Sequence, residues 1–326
     1  MTRGSHHPRA PKPVEPASRA PFGAVCVIHN SERYLGALFD SFERHVAPAP
    51  EVVVVDTGSR DRGAKIARQR GATVVSRPEN PGFGTANNAG LAHIRAEVCV
   101  LLNPDVELLD GGLLRLVELA RQRRALLAPR LLNADGSVQR SAHPLPGTLE
   151  ALLPALIHPL ALPRRLRLRA DPWRAERPRT IGWALAACLV ARTELLRALG
   201  PFDERIFLFY EDLDLALRAA RMGIPTELHP EVAIRHHGSH SSFPAYGGEP
   251  YELLAGLRRQ VVGRQLGRRA LALDDAAQWL AFATRASARI LLARDAAREL
   301  ARLRALRAAR RARGQISELR SGAAGR

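Results

Sequence analysis

Short apolar runs alternate with amphipathic stretches through the first half of the chain. Residues 23–28, 51–56, 73–76 and 97–102 are Val-rich, with no regular polar alternation inside the run, the pattern of strands buried on both faces. Apolar positions recur at helical intervals over 31–45, 61–70, 84–94 and 111–123, which predicts helices. A further strand is expected over 125–129. This alternation predicts an α/β fold with a doubly wound, mostly parallel sheet. Each parallel strand then delivers its outgoing loop to one common crevice.

The second half is less regular. Asn133-Ala134-Asp135-Gly136-Ser137 is a hairpin signal. Residues 144–179 are rich in Pro, Leu and Arg without clean periodicity. Beyond them the sequence predicts a strand at 185–191, a helix at 193–199 stopped by Gly200-Pro201, a helix from about Glu211, and strands at 225–228 and 232–235. Further on, Trp279, Phe282, Ala286, Ile290, Ala293, Ala297, Leu300 and Leu303 share one helical face, with Arg285, Arg289, Arg294, Arg298 and Arg302 on others. That is a basic amphipathic helix. The expected organisation is a disordered tail over 1–21, an α/β domain over 22–245 and a basic helical extension over 246–326.

Composition adds limits. The chain has 326 residues, 46% of them hydrophobic, enough for a sizeable core. No run reaches about 18 uninterrupted apolar residues, so no membrane-spanning helix is expected. Residues 1–20 lack the apolar centre of a secretory signal. Cys26, Cys99 and Cys188 fall inside expected strands without metal-type spacing, and read as small buried hydrophobes of a reducing compartment. The net charge is +17, and from Arg258 onward 17 arginines face five acids. A basic tail suits an anionic partner, either nucleic acid or an acidic membrane surface. Lysine occurs only at Lys12 and Lys65, and this Arg bias, with abundant Ala, also fits a GC-rich coding sequence.

Candidate chemistry sits at strand ends. Val98-Cys99-Val100-Leu101-Leu102 runs into Asn103-Pro104-Asp105. Pro104 breaks the strand and leaves the Asp105 carboxylate at its carboxyl end, a natural ligand for a hard divalent cation, although such a turn is equally a plain connection. Asp56 ends the second strand in the same way, where a carboxylate can accept the imide N–H of a uracil or thymine base. Asn80-Pro81-Gly82-Phe83-Gly84-Thr85-Ala86-Asn87-Asn88 opens a helix with a glycine loop whose N–H groups suit a diphosphate. It is neither a P-loop nor the dinucleotide fingerprint. Glu211-Asp212 opens another helix, where acids complement the helix dipole and where Asp212 can serve as a general base. Leu213, Ala216, Leu217 and Ala220 form that helix's apolar stripe, and Asp214 and Arg218 are spaced for an ion pair. His236-His237-Gly238-Ser239-His240 leaves the last strand and offers a metal-binding imidazole.

In this order the motifs resemble those of inverting glycosyltransferases of family 2, with the GT-A fold, and most of all bacterial rhamnosyltransferases that use dTDP-L-rhamnose. The stretches that carry the resemblance are 53–61, 80–90, 101–106, 133–144, 182–192 and 200–241. The resemblance implies that Asn103-Pro104-Asp105 stands at the family's metal motif, with Asn103 in place of its first acid. It implies that Asp105 and His236 hold Mg²⁺ or Mn²⁺, and that Asp212 is the base of the acidic pair with Glu211. It implies that the nucleotide sugar lies on His29, Asn30, Asp56, Gly82, Gly84, Asn87, Asn88 and Asn103, and the acceptor on Trp183 and Tyr210. Thr57, the Ile28-His29-Asn30 segment and Ala186 depart from the family pattern without removing a charged group.

The function expected is inverting transfer of a sugar, L-rhamnose above others, from a nucleotide-diphosphate donor to a glycan or polyprenyl-diphosphate-linked acceptor in cell-envelope polysaccharide synthesis. The location expected is cytoplasmic, peripheral on the inner membrane face through the basic helices. A hexosyltransferase using a UDP-sugar is the alternative within the same chemistry. A basic nucleic-acid-binding protein is the alternative from another class, but the tail lacks interleaved basic and aromatic residues, so no nucleic acid is expected as partner. A sugar nucleotidyltransferase would need a basic glycine loop where Ile28-His29-Asn30-Ser31 stands.

Overall fold

The computed structural model of the protein describes residues 20–157, 161–200, 202–238 and 249–312. Most of the expected tail over 1–21, Pro201, His240, the boundary at 245/246 and the far end of the basic extension lie outside the described residues.

The chain opens as β1 (Gly23–Ile28), α1 (Glu32–His45), β2 (Glu51–Asp56), α2 (Gly63–Gln69), β3 (Thr73–Ser76), α3 (Phe83–His93) and β4 (Val98–Leu102). There follow β5 (Val106–Leu108), α4 (Gly112–Gln122), β6 (Leu126–Leu132), β7 (Ala142–His143), α5 (Leu149–Leu156) and α6 (Arg164–Ala170). Then come β8 (Arg179–Ile181), β9 (Trp183–Ala184), β10 (Cys188–Arg192), α7 (Thr193–Ala198), α8 (Glu211–Arg221) and β11 (Thr226–His236). Two last helices are α9 (Tyr251–Leu291) and α10 (Ala297–Arg311).

The main sheet has the order β3-β2-β1-β4-β10-β6-β11-β5, with β8 added on β11. β3, β2, β1 and β4 are mutually parallel, and so are β6 and β11. β10 runs antiparallel between β4 and β6. The sheet is therefore mostly parallel, as expected. Its order turns between β1 and β4, and a crevice opens at the carboxyl ends there.

Alternation within each buried strand divides the core in two. Ala24, Cys26 and Ile28 face a cluster built with Leu35, Phe39 and Leu116 of α1 and α4. Val25 and Val27 face the opposite cluster, with Ala86 and Leu91 of α3 and Leu195 of α7. Burying such side chains contributes about 1.5–3 kcal/mol each, which is why the strands tolerate no polar face. The three cysteines are buried in β1, β4 and β10, and burial pushes their thiols up.

Four expectations need correction. The runs 225–228 and 232–235 are one strand, β11, with a register shift between His229 and Ala233. Pro230 has no N–H to give the ladder, so the strand bulges rather than ends. Residues 144–179 contain α5 and α6. α5 is apolar nearly all round and α6 alternates Arg with Leu, so neither shows a helical period. In α8, Ala220 is exposed rather than part of the buried stripe, while Asp214 and Arg218 do pair, at 2.8 Å.

The amphipathic C-terminal helix is not continuous. α9 folds back at Gly267 (φ 81, ψ −177), an excursion that favours glycine. Its arms, 251–266 and 268–291, lie side by side: Arg258 reaches Asp274 at 2.7 Å, and Arg259 pairs with Asp275. A second break falls near Ala293, at φ 50. Trp279 and Phe282 pack beside Ala255, Ala305 and Leu306 in a seam between helices, whereas Ile290, Ala293, Ala297 and Leu300 of the same expected face are exposed. The first arm docks on α8, where Val261 and Val262 meet Leu213 and Leu217. Fully buried Asp214 accepts from Gln265 Nε2 at 2.6 Å.

Candidate active site

The parallel strands deliver the candidate residues to one edge. β1 ends at His29 and Asn30, β2 at Asp56, β4 at Asn103 and Asp105, and β11 at His236. β10 starts at this edge, since its Cys188 pairs with Leu102 of β4.

Asp105 and His236 meet directly. Oδ1 of Asp105 lies 3.4 Å from Nε2 of His236, and both residues are buried. Nδ1 of His236 donates to Oε1 of Gln139 at 2.9 Å, so in the neutral ring Nε2 carries the lone pair. Gln139 was not singled out by sequence. The hairpin over 133–137 returns it along β6, where its N–H donates to Leu131 O at 2.8 Å. Oδ2 of Asp105 accepts from the Gly238 N–H at 2.9 Å, and its carbonyl accepts from the His237 N–H. Burial alone would raise the Asp105 carboxyl, but His236 and the N–H groups of Asp105 and Gly238 outweigh it and hold the group below its ordinary range.

This arrangement fits a divalent cation. A carboxylate oxygen and an imidazole lone pair face one another with no proton between them in the neutral ring. Neighbouring ligands of an octahedral ion with ~2.1 Å bonds stand about 3 Å apart. Oδ1 of Asn103 is buried without a partner, while Nδ2 of Asn103 lies 3.3 Å from Nε2 of His236. Asp105 and His236 could ligate such an ion, and the Asn103 amide stands beside them. Among the described residues no group of three or more His, Cys, Asp or Glu forms a metal cluster, so a diphosphate and water would complete the sphere.

The acidic pair hangs from the same turn. The Ala186 N–H donates to Oδ2 of Asp212 at 3.3 Å, and the neighbouring Ala187 carbonyl accepts from the Asn103 N–H at 3.0 Å. Consecutive residues thus tie Asp212 to the Asn103–Asp105 turn. Burial raises both carboxyls of the pair, and the charge of Asp212 raises Glu211 further. Asp212 is partly compensated by the N–H groups of Leu213 and Ala186. Oε2 of Glu211 is buried without a partner. Glu211 therefore keeps its proton longer, and Asp212 is the member that ionises first. Phe209 (φ 71) and Tyr210 (φ 64) both adopt left-handed backbone immediately before the pair, a conformation costing roughly 1–2 kcal/mol per residue.

The donor-side candidates differ in what they touch. Oδ1 of Asp56 accepts from the Ser59 N–H at 2.9 Å, and Asp56 is half-buried at the rim. His29 and Asn30 are exposed: Nδ1 of His29 donates to Thr57 O, and Oδ1 of Asn30 accepts from the Arg60 N–H. The glycine loop faces protein. A Cβ on Gly82 would lie 2.8 Å from Cα of Phe207, and one on Gly84 would lie 2.8 Å from Cβ of Phe202. The Phe83 N–H donates to Phe207 O. Asn88 holds Phe202 by both amide atoms, and Nδ2 of buried Asn87 donates to Phe83 O. These residues fix α3 against the segment leading into Glu211-Asp212.

On the acceptor side, Trp183 is buried and stacks on His143 at 4.4 Å between centroids. Burial, with Arg258 nearby, lowers the His143 ring to about 4 and keeps it neutral. Tyr210 stands 6.4 Å from Trp183, and the Arg258 guanidinium lies 5.9 Å from the Tyr210 ring. Arg258 was missed by sequence because it lies far downstream on α9.

A mostly parallel sheet with these carboxylates and an imidazole at its carboxyl edge fits a GT-A type glycosyltransferase. The chain matches the model for "Glycosyl transferase family 2" over residues 24–176. It is 31% identical over 247 residues to the N-acetylglucosaminyl-diphospho-decaprenol L-rhamnosyltransferase of Mycobacterium tuberculosis, covering 69% of this chain and 76% of that protein. The protein belongs to glycosyltransferase family 2. The structure resembles the mannosyltransferase PcManGT from Pyrobaculum calidifontis in complex with GDP-Man and Mn²⁺, with TM-score 0.57 and 19% identity, covering 92% of this chain and 89% of that one. It also resembles GalNAc-T7 with UDP, GalNAc and Mn²⁺, with TM-score 0.54 and 17% identity; the match covers 74% of this chain but only 48% of GalNAc-T7.

Proposed function

We propose that the protein transfers L-rhamnose from dTDP-L-rhamnose to a lipid-linked glycan acceptor, with inversion, in cell-envelope polysaccharide synthesis. The observation that carries the chemistry is the shared turn: Ala186 holds Asp212 while Ala187 holds the Asn103–Asp105 turn. This shared turn supports reading Asp212 as a base beside a leaving-group site at Asp105. The donor and acceptor classes rest on the mycobacterial relative.

Asp212 takes the proton of an acceptor hydroxyl. The hydroxyl oxygen bonds to the anomeric carbon from the face opposite the diphosphate. The carbon–oxygen bond to the diphosphate breaks, and the nucleoside diphosphate leaves with the electron pair. Mg²⁺ or Mn²⁺, held by Asp105 and His236 with Asn103 beside them, would neutralise charge on the departing diphosphate. Asp56, His29 and Asn30 hold the base and nucleoside end. Glu211, kept protonated, spares Asp212 a second negative charge next to it. Gly82, Gly84, Asn87 and Asn88 hold the acid pair's approach segment in register, and Trp183 and Tyr210 wall the acceptor side. Work on a lipid-linked acceptor implies a place at the inner face of the cell membrane; among the described residues no helix is long and apolar enough to cross one.

A donor screen tests this reading. Purified protein with Mn²⁺ and a polyprenyl-diphosphate-linked N-acetylglucosamine acceptor is offered dTDP-rhamnose, UDP-glucose, UDP-galactose and GDP-mannose, and nucleoside diphosphate release is followed. Release from dTDP-rhamnose above the others is expected. Preference for a UDP-sugar would move the protein to a hexosyltransferase, and no release from any donor would overturn the catalytic reading.

A further inference from the structure

Five of the nine exposed large hydrophobic side chains among the described residues lie at the ends of α5 and of the second arm of α9. Leu156 (60% exposed), Ile157 (45%), Ile290 (59%), Leu291 (85%) and Leu292 (64%) fall on two segments that pack side by side. α5 runs along the second arm of α9 in the same direction. Near its start, a Cβ on Gly147 would lie 2.8 Å from Cβ of Ala270; near its end, Oγ1 of Thr284 donates to Ala155 O at 3.4 Å. Ile290 lies about 9 Å beyond Thr284 along the helix, and Leu156 and Ile157 lead out just past Ala155. Both groups reach the same end of the helix pair.

Arginines gather at that end. α6 packs against α5, with Arg169 4.0 Å from Glu150 near the start of α5. Arg164 and Arg165 open α6 seven and eight residues after Ile157. Arg289 and Arg294 flank the other aliphatic group. The acids nearby are already engaged: Glu176 with Arg164 at 2.8 Å, Glu299 with Arg289 at 3.1 Å, and Asp295 with the Ala297 N–H. Arg164 and Arg289 are neutralised in these pairs, and Arg165 and Arg294 against Asp295 leave a surplus of one positive charge beside the apolar groups.

We propose that this end of the α5–α9 pair is a membrane-docking surface, its aliphatic side chains entering the interface of an anionic bilayer and its arginines meeting lipid phosphates. Exposed aliphatics beside a surplus of positive charge match the two terms of interfacial binding, apolar burial and attraction to anionic headgroups. A second copy of the chain is a poorer occupant, because a two-fold contact would set the same arginines against each other. The surface differs from the seam at Trp279 and Phe282, which is closed inside the helical extension. The inference rests on the lipid-linked acceptor reading for its purpose, and its test does not depend on transfer.

The full chain is sedimented with vesicles of phosphatidylcholine alone or of an equal mixture with phosphatidylglycerol. Wild type is expected to partition onto the mixed vesicles, and less so as salt rises. The double variant Leu156→Ser/Leu291→Ser should lose at least about tenfold of that partitioning while its release of nucleoside diphosphate in vesicle-free buffer stays at the wild-type level. Arg164→Gln/Arg165→Gln, which touches no apolar contact, should weaken binding to mixed vesicles and keeps the test open if the serine variant misfolds. Wild-type protein left in the supernatant, or variants that bind as wild type does, would overturn the proposal. So would a concentration-dependent dimer that the double variant abolishes without any vesicle binding. Vesicle binding by a protein that releases no nucleotide would leave the docking surface standing and remove only the transferase reading.

Discussion

Gln139 and His236 are joined at 2.9 Å, Nδ1 of the imidazole donating to the side-chain oxygen across the neighbouring ends of β6 and β11. The bond fixes which ring nitrogen is left for Asp105. Gln139→Ala should leave the fold intact and weaken Mn²⁺-dependent nucleotide binding about 10–100-fold. Calorimetric titration of nucleoside diphosphate with and without Mn²⁺ measures this, and equal affinities for variant and wild type would show that His236 needs no such orientation.

Asp212→Asn should lower the rate of transfer about 10²–10⁴-fold while donor affinity is kept. The amide oxygen can still accept from the Ala186 N–H, so the turn stays in place. Transfer near the wild-type rate would overturn the assignment of the base.

The acid pair also has a stability signature. Glu211 is held protonated by burial and by Asp212, above its ordinary range, so the folded chain retains a proton that the unfolded chain gives up. The stability tied to that proton is full below the unfolded carboxyl pKa and is lost as pH rises through the folded value. Glu211→Gln carries no such proton. Its thermal midpoint should fall less than that of wild type between mildly acid and mildly alkaline pH. Parallel curves would mean that Glu211 is already ionised in the native protein.

Gly82 stands at φ 94 with a Cβ position 2.8 Å from Cα of Phe207. Gly82→Ala should cost at least about 1–3 kcal/mol from backbone conformation alone, with the contact adding to it. Denaturant unfolding reads the loss. A neutral outcome would show that the segment through Phe207 moves freely away from α3.

Asp214 is buried and holds Arg218 and Gln265 together. Asp214→Ala leaves Arg218 in the wall without its carboxylate, at a cost of about 3–5 kcal/mol. Limited proteolysis should then release α9 and α10 faster than in wild type, and an unchanged cleavage pattern would show that the helical extension is held elsewhere.

The sheet was legible because its strands are buried on both faces, and runs such as Val53-Val54-Val55 admit few other readings. Asp56, Asp105 and His236 were legible for the same reason, since each ends such a run. The opposite case is α5, whose all-round apolar surface hides any period. The fold at Gly267 was hidden as well. A single glycine is tolerated inside many helices, and it is the cross-arm pairs Arg258–Asp274 and Arg259–Asp275 that show the helix turning back. Gln139 and the Ala186–Ala187 turn escaped because they act through backbone placement and one amide, which leave no pattern in residue type. The glycine loop was read for its N–H groups, yet Gly82 and Gly84 lie against Phe207 and Phe202, a packing need that the sequence does not distinguish from anion binding.

The docking of α9 on α8 also orders events in time. Arg258 lies against Tyr210 and Gln265 against Asp214, so the wall behind Tyr210 is completed by residues made after the strands of the sheet. On the ribosome, the sheet and the nucleotide side can assemble while that wall is still unsynthesised. If Tyr210 walls the acceptor as proposed, a nascent chain would bind a donor before it could position an acceptor.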